Sequence, residues 1–285
     1  MIERRGHGSG KLILLGEHAV VHGQPALAFA VDRGTDVVLT PRVDGVRRVL
    51  GDVRDPLLDE ALASVLPDGG WDVAIASSLP LGRGMGSSAS LGVAVSRAVL
   101  GPHAAPDAVF THAMRLETVF HANPSGLDVA VSVRGGLLRY QRSPAPVFES
   151  LPCPTWSVVV LDSGSKGSTR EMVQGVASRR PSIDAELAAI GSLVTAALRH
   201  LDDPVSLGPL LNENHDRLRA IGVSTPRLDA LCELARGAGA HGAKLSGAGG
   251  GGVVLALVTD PAPVLAAADK AGIPAFVTTP AASRT

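Results

Sequence analysis

The sequence is poor in aromatic residues and in cysteine. Aromatic residues make up 3% of its 285 positions, and only two cysteines, Cys153 and Cys232, are present. The two cysteines stand far apart and outside any CxxC spacing, which argues against a structural metal site built on cysteine. They are therefore predicted to be two buried thiols in a protein of a reducing compartment.

The sequence also lacks an excess of positive charge and a long apolar run. Its formal net charge is −1 at pH 7, so there is no electrostatic reason to expect nucleic acid or an anionic membrane as a partner. The longest uncharged stretch, 245–259, is half glycine-rich and too short to span a bilayer. Near the N-terminus, Lys11, Glu17 and His18 bracket the apolar residues too closely for a signal peptide. We expect a cytoplasmic protein.

Aliphatic residues and glycine are abundant instead. Hydrophobic residues account for 45% of the chain, which also contains 33 glycines. A chain of this length can bury about three quarters of the surface that its unfolded form exposes, and it corresponds to roughly two domains. The composition predicts a globular protein with aliphatic cores.

A glycine-rich segment, LGRGMGSSAS at 81–90, precedes a stretch with helical apolar spacing. Glycines let backbone N–H groups turn toward a ligand, and a helix N-terminus adds unpaired donors and partial positive charge, so the combination can hold an anion. No lysine follows the glycines, which excludes a Walker A loop, and their GxGxG spacing excludes the dinucleotide-binding fingerprint. On its own the segment fits a phosphate site and a tight strand-to-helix turn equally well.

The apolar pattern divides the chain into a strand-rich first half and a helix-rich second half. In the first half it predicts strands at 11–15, 26–31, 36–40, 72–77 and 137–140, with two or three hairpins, and helices at 87–100, at 107–121 and from 127 onward. Ser87 or Ser88 would cap the first of these helices, and Pro124 interrupts the second.

Prolines between 143 and 154 indicate a connection between domains. After it, the pattern predicts a strand at 157–161, four helical stretches, strands around Lys244 and Val253, and a terminal helix and strand. The prediction is an α+β protein of two domains, 1–150 and 151–285, with its functional site between them.

Polar residues interrupt the apolar segment GKLILLGEHAVVHG at 10–23. Lys11 alone would be an exposed strand end about as often as a functional residue. Glu17 and His18 are harder to assign to a core, because a buried carboxylate or imidazole must be paired or used. His18 and His22 have the i, i+4 spacing of a metal pair, but the strand character of the segment and the missing third ligand argue against zinc.

Two acidic residues flank a predicted helix break at 123–126, with Glu117 before it and Asp128 after it. Either residue alone would most often be a solvated helix carboxylate. The break allows the two to converge, with one available to hold a divalent cation and the other to accept a proton. Mg²⁺ prefers oxygen ligands and keeps several waters, so one carboxylate, one serine hydroxyl and phosphate oxygens would suffice to bind it.

Two more segments combine small and polar residues. KLSGAGGGG at 244–252 lies between two apolar strands, where it is either a flexible surface hairpin or a site of close backbone approach to a ligand. GSTR at 167–170 opens a helix. Ser168 is an ordinary N-cap there, and Thr169 would reach a substrate only if the two domains close over it.

Three motifs in this order, GKLILLGEHAVVHG, LPLGRGMGSSAS and KLSGAGGGG, resemble those of the GHMP small-molecule kinases over nearly the whole chain. Within that family, GEHAVVHG, the distance from Glu117 to NPSGLD, the GSTR segment and LNENHDRLRAIGVS are similar to the mevalonate kinase group. The resemblance implies a ribosomal-protein-S5-like N-terminal ATP-binding domain, a ferredoxin-like C-terminal domain and an active site in the cleft between them. It also implies ATP- and Mg²⁺-dependent phosphorylation of the 5-hydroxyl of mevalonate.

The resemblance also implies roles for the matching residues of this chain. Residues that would cradle the ATP phosphates are Gly84, Met85, Gly86, Ser87 and Ser88. Ser88 and Glu117 would hold Mg²⁺, Asp128 would accept the proton of the hydroxyl, and Lys11 beside it would stabilise the carboxylate and polarise the nucleophile. Expected substrate contacts are Glu17, His18 and Thr169, and the closing glycine loop would comprise Gly247, Ala248 and Gly249.

Other functions remain open at this point. A GHMP enzyme acting on phosphomevalonate or a sugar would keep the phosphate loops and change only the acceptor pocket. A non-catalytic ligand sensor on the same fold would have no need for the proton acceptor. A serine hydrolase is less favoured, because the chain contains no GxSxG elbow. A homodimer is possible.

Overall fold

The structure is a computed structural model that describes residues 2–51, 55–80, 82–121, 124–142 and 146–282. Three sequence-based predictions fall partly outside these residues. They concern Leu81 at the start of the glycine-rich segment, Asn123 at the helix break, and 143–145 in the proline-containing connection.

The first sheet is built from strands of the first half of the chain. Its strands are β1 (Arg4–Leu15), β2 (Pro25–Arg42), β3 (Arg47–Leu50), β4 (Gly70–Ser77), β5 (Leu137–Gln141) and β6 (Val147–Leu151). They are ordered β3-β4-β2-β5-β6, and β1 also pairs with β2. Because β2 is one strand of 18 residues, the prediction of separate strands at 26–31 and 36–40 is wrong. Its two ends pair with different neighbours, 25–29 with β5 and 35–42 with β4, while β1 runs alongside both parts.

Helices cover this sheet and lead into the polar motifs. They are a short 3-10 helix (Ala19–His22), α1 (Leu58–Ala63), α2 (Ser87–Leu100), α3 (Pro106–Phe120) and α4 (Leu127–Arg134). The predicted helix at 87–100 is confirmed, but its serine cap is wrong. The residue at the N-cap is Gly86, which has a left-handed φ of 71° and offers no side chain to cap the helix. A glycine fits this position because it has no Cβ to clash in the left-handed conformation.

The second half forms a four-stranded sheet with helices packed on it. Its elements are β7 (Ser157–Asp162), α5 (Thr169–Ser178), α6 (Asp184–Ala197), α7 (Pro204–Ala220), α8 (Pro226–Gly237), β8 (Gly242–Ser246), β9 (Val253–Val258), α9 (Ala262–Lys270) and β10 (Ala275–Thr278). The strands are ordered β10-β7-β9-β8 and pair antiparallel throughout. The predicted α+β class and the order of these elements are confirmed.

The two halves are joined through a shared apolar core. Phe29 of β2 packs edge-on against Trp156, just before β7, with ring centroids 5.8 Å apart. At the edge of this core β1 meets β8: the Ile13 N–H donates to Ser246 Oγ at 2.9 Å, and that hydroxyl lies 3.2 Å from the Ile13 carbonyl oxygen. This contact brings the two glycine-rich segments together. The domain boundary at residue 150 stays a prediction.

The two cysteines differ in burial. Cys232 is buried in the core of the second half, whereas Cys153 is exposed, so the prediction of two buried thiols is wrong for Cys153. Its position just after β6 places it in the surface connection between the halves. Across the described ranges, no helix combines the length and the apolar character that a membrane crossing requires.

Candidate active site

The glycine-rich segment forms a tight loop immediately before α2. Gly82, Gly84 and Gly86 have φ values of 70°, 77° and 71°, a region that side chains disfavour. Between them, Met85 is buried in the core and its carbonyl oxygen accepts a hydrogen bond from the Lys11 N–H at 3.0 Å. The phosphate loop, residues 82–88, is thereby anchored at the N-terminus of a 14-residue helix, where free N–H groups and the helix dipole favour an anion.

The closing glycine loop, residues 247–249, packs directly against the phosphate loop. A Cβ added to Gly84 would lie 3.1 Å from the carbonyl oxygen of Ser246, and one added to Gly247 would lie 3.1 Å from the carbonyl oxygen of Gly84. A side chain at either position would therefore force the loops apart. Glycine at both positions lets two backbones approach where a ligand can be enclosed.

Lys11 and Asp128 form an ion pair at the inner end of the phosphate loop, the end that leads into α2. Lys11 comes from β1 and is almost fully buried, and its Nζ lies 3.2 Å from Asp128 Oδ2. The same ammonium donates to the carbonyl oxygen of Gly84 at 2.9 Å. Asp128 is the second residue of α4, which begins after the left-handed Gly126, and its side chain remains partly exposed. An accessible carboxylate thus lies beside a fixed cation and the phosphate loop.

Ser88, Glu117 and His121 form a second group beside this pair. Ser88 Oγ lies 3.4 Å from Glu117 Oε1 and 3.4 Å from His121 Nε2. Glu117 is buried near the end of α3, and burial, reinforced by the negative charge of Asp128, raises the pKa of Glu117 to about 8. His121 was not predicted from the sequence, although its i, i+4 spacing from Glu117 on a predicted helix could have indicated that the two share a face.

A divalent cation fits the oxygens of Ser88 and Glu117. Among the described residues, Glu117 Oε2 is buried and has no hydrogen-bond partner. A buried carboxylate oxygen without a partner is costly, and a cation would satisfy it. The part of the chain that the structure describes contains no group of three His, Cys, Asp or Glu side chains placed to hold a metal. A hard cation bound here would complete its shell with phosphate oxygens and water, which is the coordination that Mg²⁺ favours.

Glu17 binds protein groups rather than facing open space. Its Oε1 accepts a short hydrogen bond from Lys244 Nζ, and its Oε2 accepts one from Asn214 Nδ2 at 3.2 Å. Lys244 and Glu17 are both almost completely buried. Because both oxygens are engaged, the geometry favours a positioning role for Glu17 over the direct substrate contact expected from the sequence. Its partner Lys244 was not predicted from the sequence.

His18 connects the end of the β1 segment to the closing glycine loop. Its Nε2 lies 2.8 Å from the carbonyl oxygen of Ala248, and burial lowers the pKa of His18 to about 4. The imidazole is therefore neutral at pH 7, and Nε2 donates to that oxygen. The backbone of His18 has a positive φ of 60°, an unusual conformation for a residue other than glycine. A strained backbone that persists in a core is often retained at a functional site.

Thr169 lies two residues after Gly167, whose backbone packs against Gly249 of the closing glycine loop. It is the exposed first residue of α5, next to Ser168, whose hydroxyl accepts the Glu171 N–H at 3.3 Å. Burial lowers the pKa of His121, and the positive charges of Lys11 and Arg170 act in the same direction. The structure thus brings this segment toward the site, although among the described residues Thr169 makes no hydrogen bond to Lys11 or Asp128.

Comparison with protein families gives two matches along the chain. A family described as the GHMP kinases N terminal domain matches residues 49–136, and one described as GHMP kinases C terminal matches residues 194–274. A mevalonate kinase of Thermococcus sibiricus is 36% identical over 91% of this chain and 90% of its own length. The chain belongs to the GHMP kinase family. A second mevalonate kinase, from Pyrococcus horikoshii, is 35% identical over 87% of this chain and 86% of its own length.

Solved structures resemble this GHMP kinase over nearly its whole length. The crystal structure of L. major mevalonate kinase in complex with R-mevalonate is 26% identical with a TM-score of 0.82, covering 98% of this chain and 97% of that one. The fold is shared with Methanococcus jannaschii mevalonate kinase, at 23% identity and a TM-score of 0.82, with 98% of each chain covered. The resemblance inferred from the three motifs, and the two-part fold that it implies, are confirmed.

Proposed function

We propose that this GHMP kinase is a mevalonate kinase, which transfers the γ-phosphoryl group of ATP to the 5-hydroxyl of mevalonate and releases 5-phosphomevalonate and ADP. Membership of a kinase family supports the use of ATP. The identity of the acceptor is supported by the relatives from Thermococcus sibiricus and Pyrococcus horikoshii, which match this chain over most of its length.

The observation that carries this proposal is the Lys11–Asp128 pair at the inner end of the phosphate loop, with 3.2 Å between Nζ and Oδ2. In the proposed reaction the acceptor hydroxyl oxygen bonds to the γ-phosphorus, and the bond from that phosphorus to the bridging oxygen of ADP breaks. Asp128 takes the proton of the hydroxyl, and Lys11 stabilises the charge that develops nearby. Positioning and charge stabilisation account for most of the rate in phosphoryl transfer, so no enzyme nucleophile is required.

Ser88 and Glu117 are the proposed Mg²⁺ ligands. Their support is the buried Glu117 oxygen that lacks a protein partner and the nearby Ser88 hydroxyl. When bound, Mg²⁺ would supply positive charge that offsets the charge on the phosphate oxygens. The backbone of the phosphate loop, at the N-terminus of α2, would hold the same phosphates.

The acceptor would lie between Asp128 and the start of α5. His18 and Thr169 remain the proposed contacts to the hydroxy acid, one beside the closing glycine loop and the other at the start of α5. Glu17 acts on this region indirectly, because it fixes Lys244 next to β1. A cleft that closes around the acceptor would exclude water and limit transfer of the phosphoryl group to water.

The test is an acceptor panel with the purified protein, ATP and Mg²⁺, read by ADP release. Mevalonate should support rapid ADP release, whereas phosphomevalonate, galactose and homoserine should give only the background rate. Faster turnover with one of the other acceptors would show that this acceptor, and not mevalonate, is the substrate. ATP binding without ADP release for any of the four would favour a ligand sensor instead.

A further inference from the structure

Lysine is scarce in this chain, and three of its four lysines lie around the candidate site. Two of them, Lys11 and Lys244, are buried and already paired, with Asp128 and Glu17 respectively. Lys270, the one lysine outside the site, ends α9 on the surface. The remaining one, Lys166, is exposed in the loop between β7 and α5 and has no assigned role.

The backbone around Lys166 is fixed by the glycine-rich segment that follows β8. The Gly252 N–H donates to the carbonyl oxygen of Ser165 at 2.9 Å, and the Ser163 N–H donates to the carbonyl oxygen of Gly252 at 3.0 Å. On the other side, a Cβ on Gly167 would lie only 2.1 Å from the carbonyl oxygen of Gly249. The position of Lys166 is therefore set by close backbone contacts on both sides, although its side chain reaches solvent.

The side chain of Lys166 runs along the outer end of the phosphate loop, which begins at Gly82. A Cβ placed on Gly82 would lie 3.3 Å from Cδ and 3.6 Å from Cε of Lys166. Within the described ranges, no hydrogen bond or ion pair engages its ammonium. Lys11 occupies the other end of the same loop, where it contacts Gly84 and Asp128. One loop is thus flanked by a paired cation at its inner end and by an available cation at its outer end.

Among the described residues, Lys166 is an exposed and unpaired cation at this end of the loop, whereas Arg83 is largely buried. Arg83, which follows Gly82, pairs through Nε with Asp162 Oδ2 at 3.2 Å. The phosphate loop itself contains no lysine after its glycines, unlike a Walker A loop, where a lysine reaches the terminal phosphates. Backbone N–H groups can orient phosphate oxygens, but they do not neutralise the charge of a polyphosphate.

We propose that Lys166 binds the terminal phosphates of ATP from the second half of the chain and supplies positive charge that the backbone N–H groups of the phosphate loop cannot. The inference rests on the proposed function only in that ATP lies on this loop. An acceptor carboxylate is the other anion that Lys166 could bind, and its position against Gly82, at the end of the loop away from Asp128, favours the nucleotide.

Equilibrium dialysis with radiolabelled nucleotides and no acceptor tests this directly. In Lys166→Ala the affinity for ATP should fall about tenfold or more, because a hydrogen bond to a charged group is lost. Binding of AMP, which has no terminal phosphates, should be unchanged. Lys166→Arg should retain most of the affinity for ATP because it keeps the charge. Lys270→Ala, which removes an exposed lysine outside the site, should bind both nucleotides as the wild type does.

Three results would overturn the inference: unchanged ATP affinity in Lys166→Ala, an equal loss of affinity for ATP and AMP, or, in a separate steady-state assay of the same variant, a rise confined to the KM of the acceptor. The last result would assign Lys166 to the acceptor. Because dialysis needs no acceptor, its result does not depend on whether mevalonate is the substrate. The acceptor panel with wild-type protein tests that point separately.

Discussion

Gly86 and Lys11 are in such close contact that a Cβ on Gly86 would lie 3.0 Å from Lys11 Cγ. The same Cβ would lie 3.5 Å from Asp128 Oδ2. The absence of a side chain at the cap of α2 is therefore what allows β1 and α4 to bring their charged groups together beneath the phosphate loop.

Gly86→Ala should displace the Lys11–Asp128 pair and lower turnover by about 10²-fold, the scale on which a misplaced catalytic group acts. Gly45→Ala is the matched control, because Gly45 has nearly the same φ of 70° but no described atom within 4 Å of an added Cβ. Both variants should lose about 1 kcal/mol of unfolding free energy from the left-handed backbone. Steady-state turnover and urea unfolding measure the two effects, and equal turnover in the two variants would contradict this account.

Ser88→Ala should raise the Mg²⁺ requirement, because it removes a proposed ligand oxygen. We expect the half-saturating free Mg²⁺ concentration at fixed ATP to rise at least about tenfold, since even indirect changes at metal sites cost that much. Mn²⁺ binding followed by electron paramagnetic resonance gives a readout independent of turnover. Ser192→Ala, on the exposed face of α6, is the control. An unchanged Mg²⁺ titration in Ser88→Ala would remove Ser88 from the ligand set.

Lys244→Met should destabilise the protein by about 3–5 kcal/mol, because it leaves the carboxylate of Glu17 buried without its cation. Adding Glu17→Gln should recover part of this loss, giving a coupling energy in a double-mutant cycle. The exposed pair of Arg5 and Glu3 serves for comparison, and Arg5→Met should cost less than about 1 kcal/mol. Urea unfolding of the four variants and the wild type measures these energies. Strictly additive effects of Lys244→Met and Glu17→Gln would argue against the pair.

The stability of the protein should fall as the pH drops from about 6.5 toward 4, in part because of His215. The Leu245 N–H donates to His215 Nδ1 at 3.3 Å, and His215 Nε2 lies 3.0 Å from Asp229 Oδ1, which fits a neutral ring. Burial lowers the pKa of His215 from 6.5 to about 4. Between pH 6.5 and 4 the unfolded chain therefore binds a proton at this residue that the folded chain does not bind. Below that range the free energy of unfolding would be lower by up to about 3 kcal/mol.

His215→Gln should accordingly lose less unfolding free energy than the wild type over this pH range. The exposed residue His103 provides the control, because His103→Gln should follow the wild-type curve. Urea unfolding at several pH values between 4 and 7 checks the expectation. A wild-type slope in His215→Gln would show that the acid sensitivity comes from other groups.

Local patterns in the sequence predicted much of the fold. The helix at 87–100 has the predicted bounds because apolar spacing and the flanking glycines are encoded within the segment itself. Lys11 and Asp128 could be assigned to one site because each stands in a motif that resembles the GHMP kinases. The structure then supplied the distance between them, which no single motif contains.

Long-range pairings account for what the sequence did not predict. Residues 32–35 look like a turn locally, but β2 continues through them because its neighbours hold both ends extended. Lys244 and Glu17 are 227 positions apart, so nothing near either residue indicates their contact. The N-cap of α2 is the left-handed Gly86 and not the predicted serine for a similar reason, since Lys11 packs where a side chain at residue 86 would lie.

The turnover of mevalonate in the wild type and in Asp128→Asn tests the central claim most directly. With ATP and Mg²⁺, the wild type should form one ADP for each mevalonate phosphorylated at its 5-hydroxyl, as read by ³¹P NMR. Asp128→Asn should lower turnover by about 10² to 10⁴ while ATP affinity is retained, and Asp269→Asn on the surface of α9 should leave turnover unchanged. Failure of the wild type to phosphorylate mevalonate, or near-normal turnover in Asp128→Asn, would contradict the account.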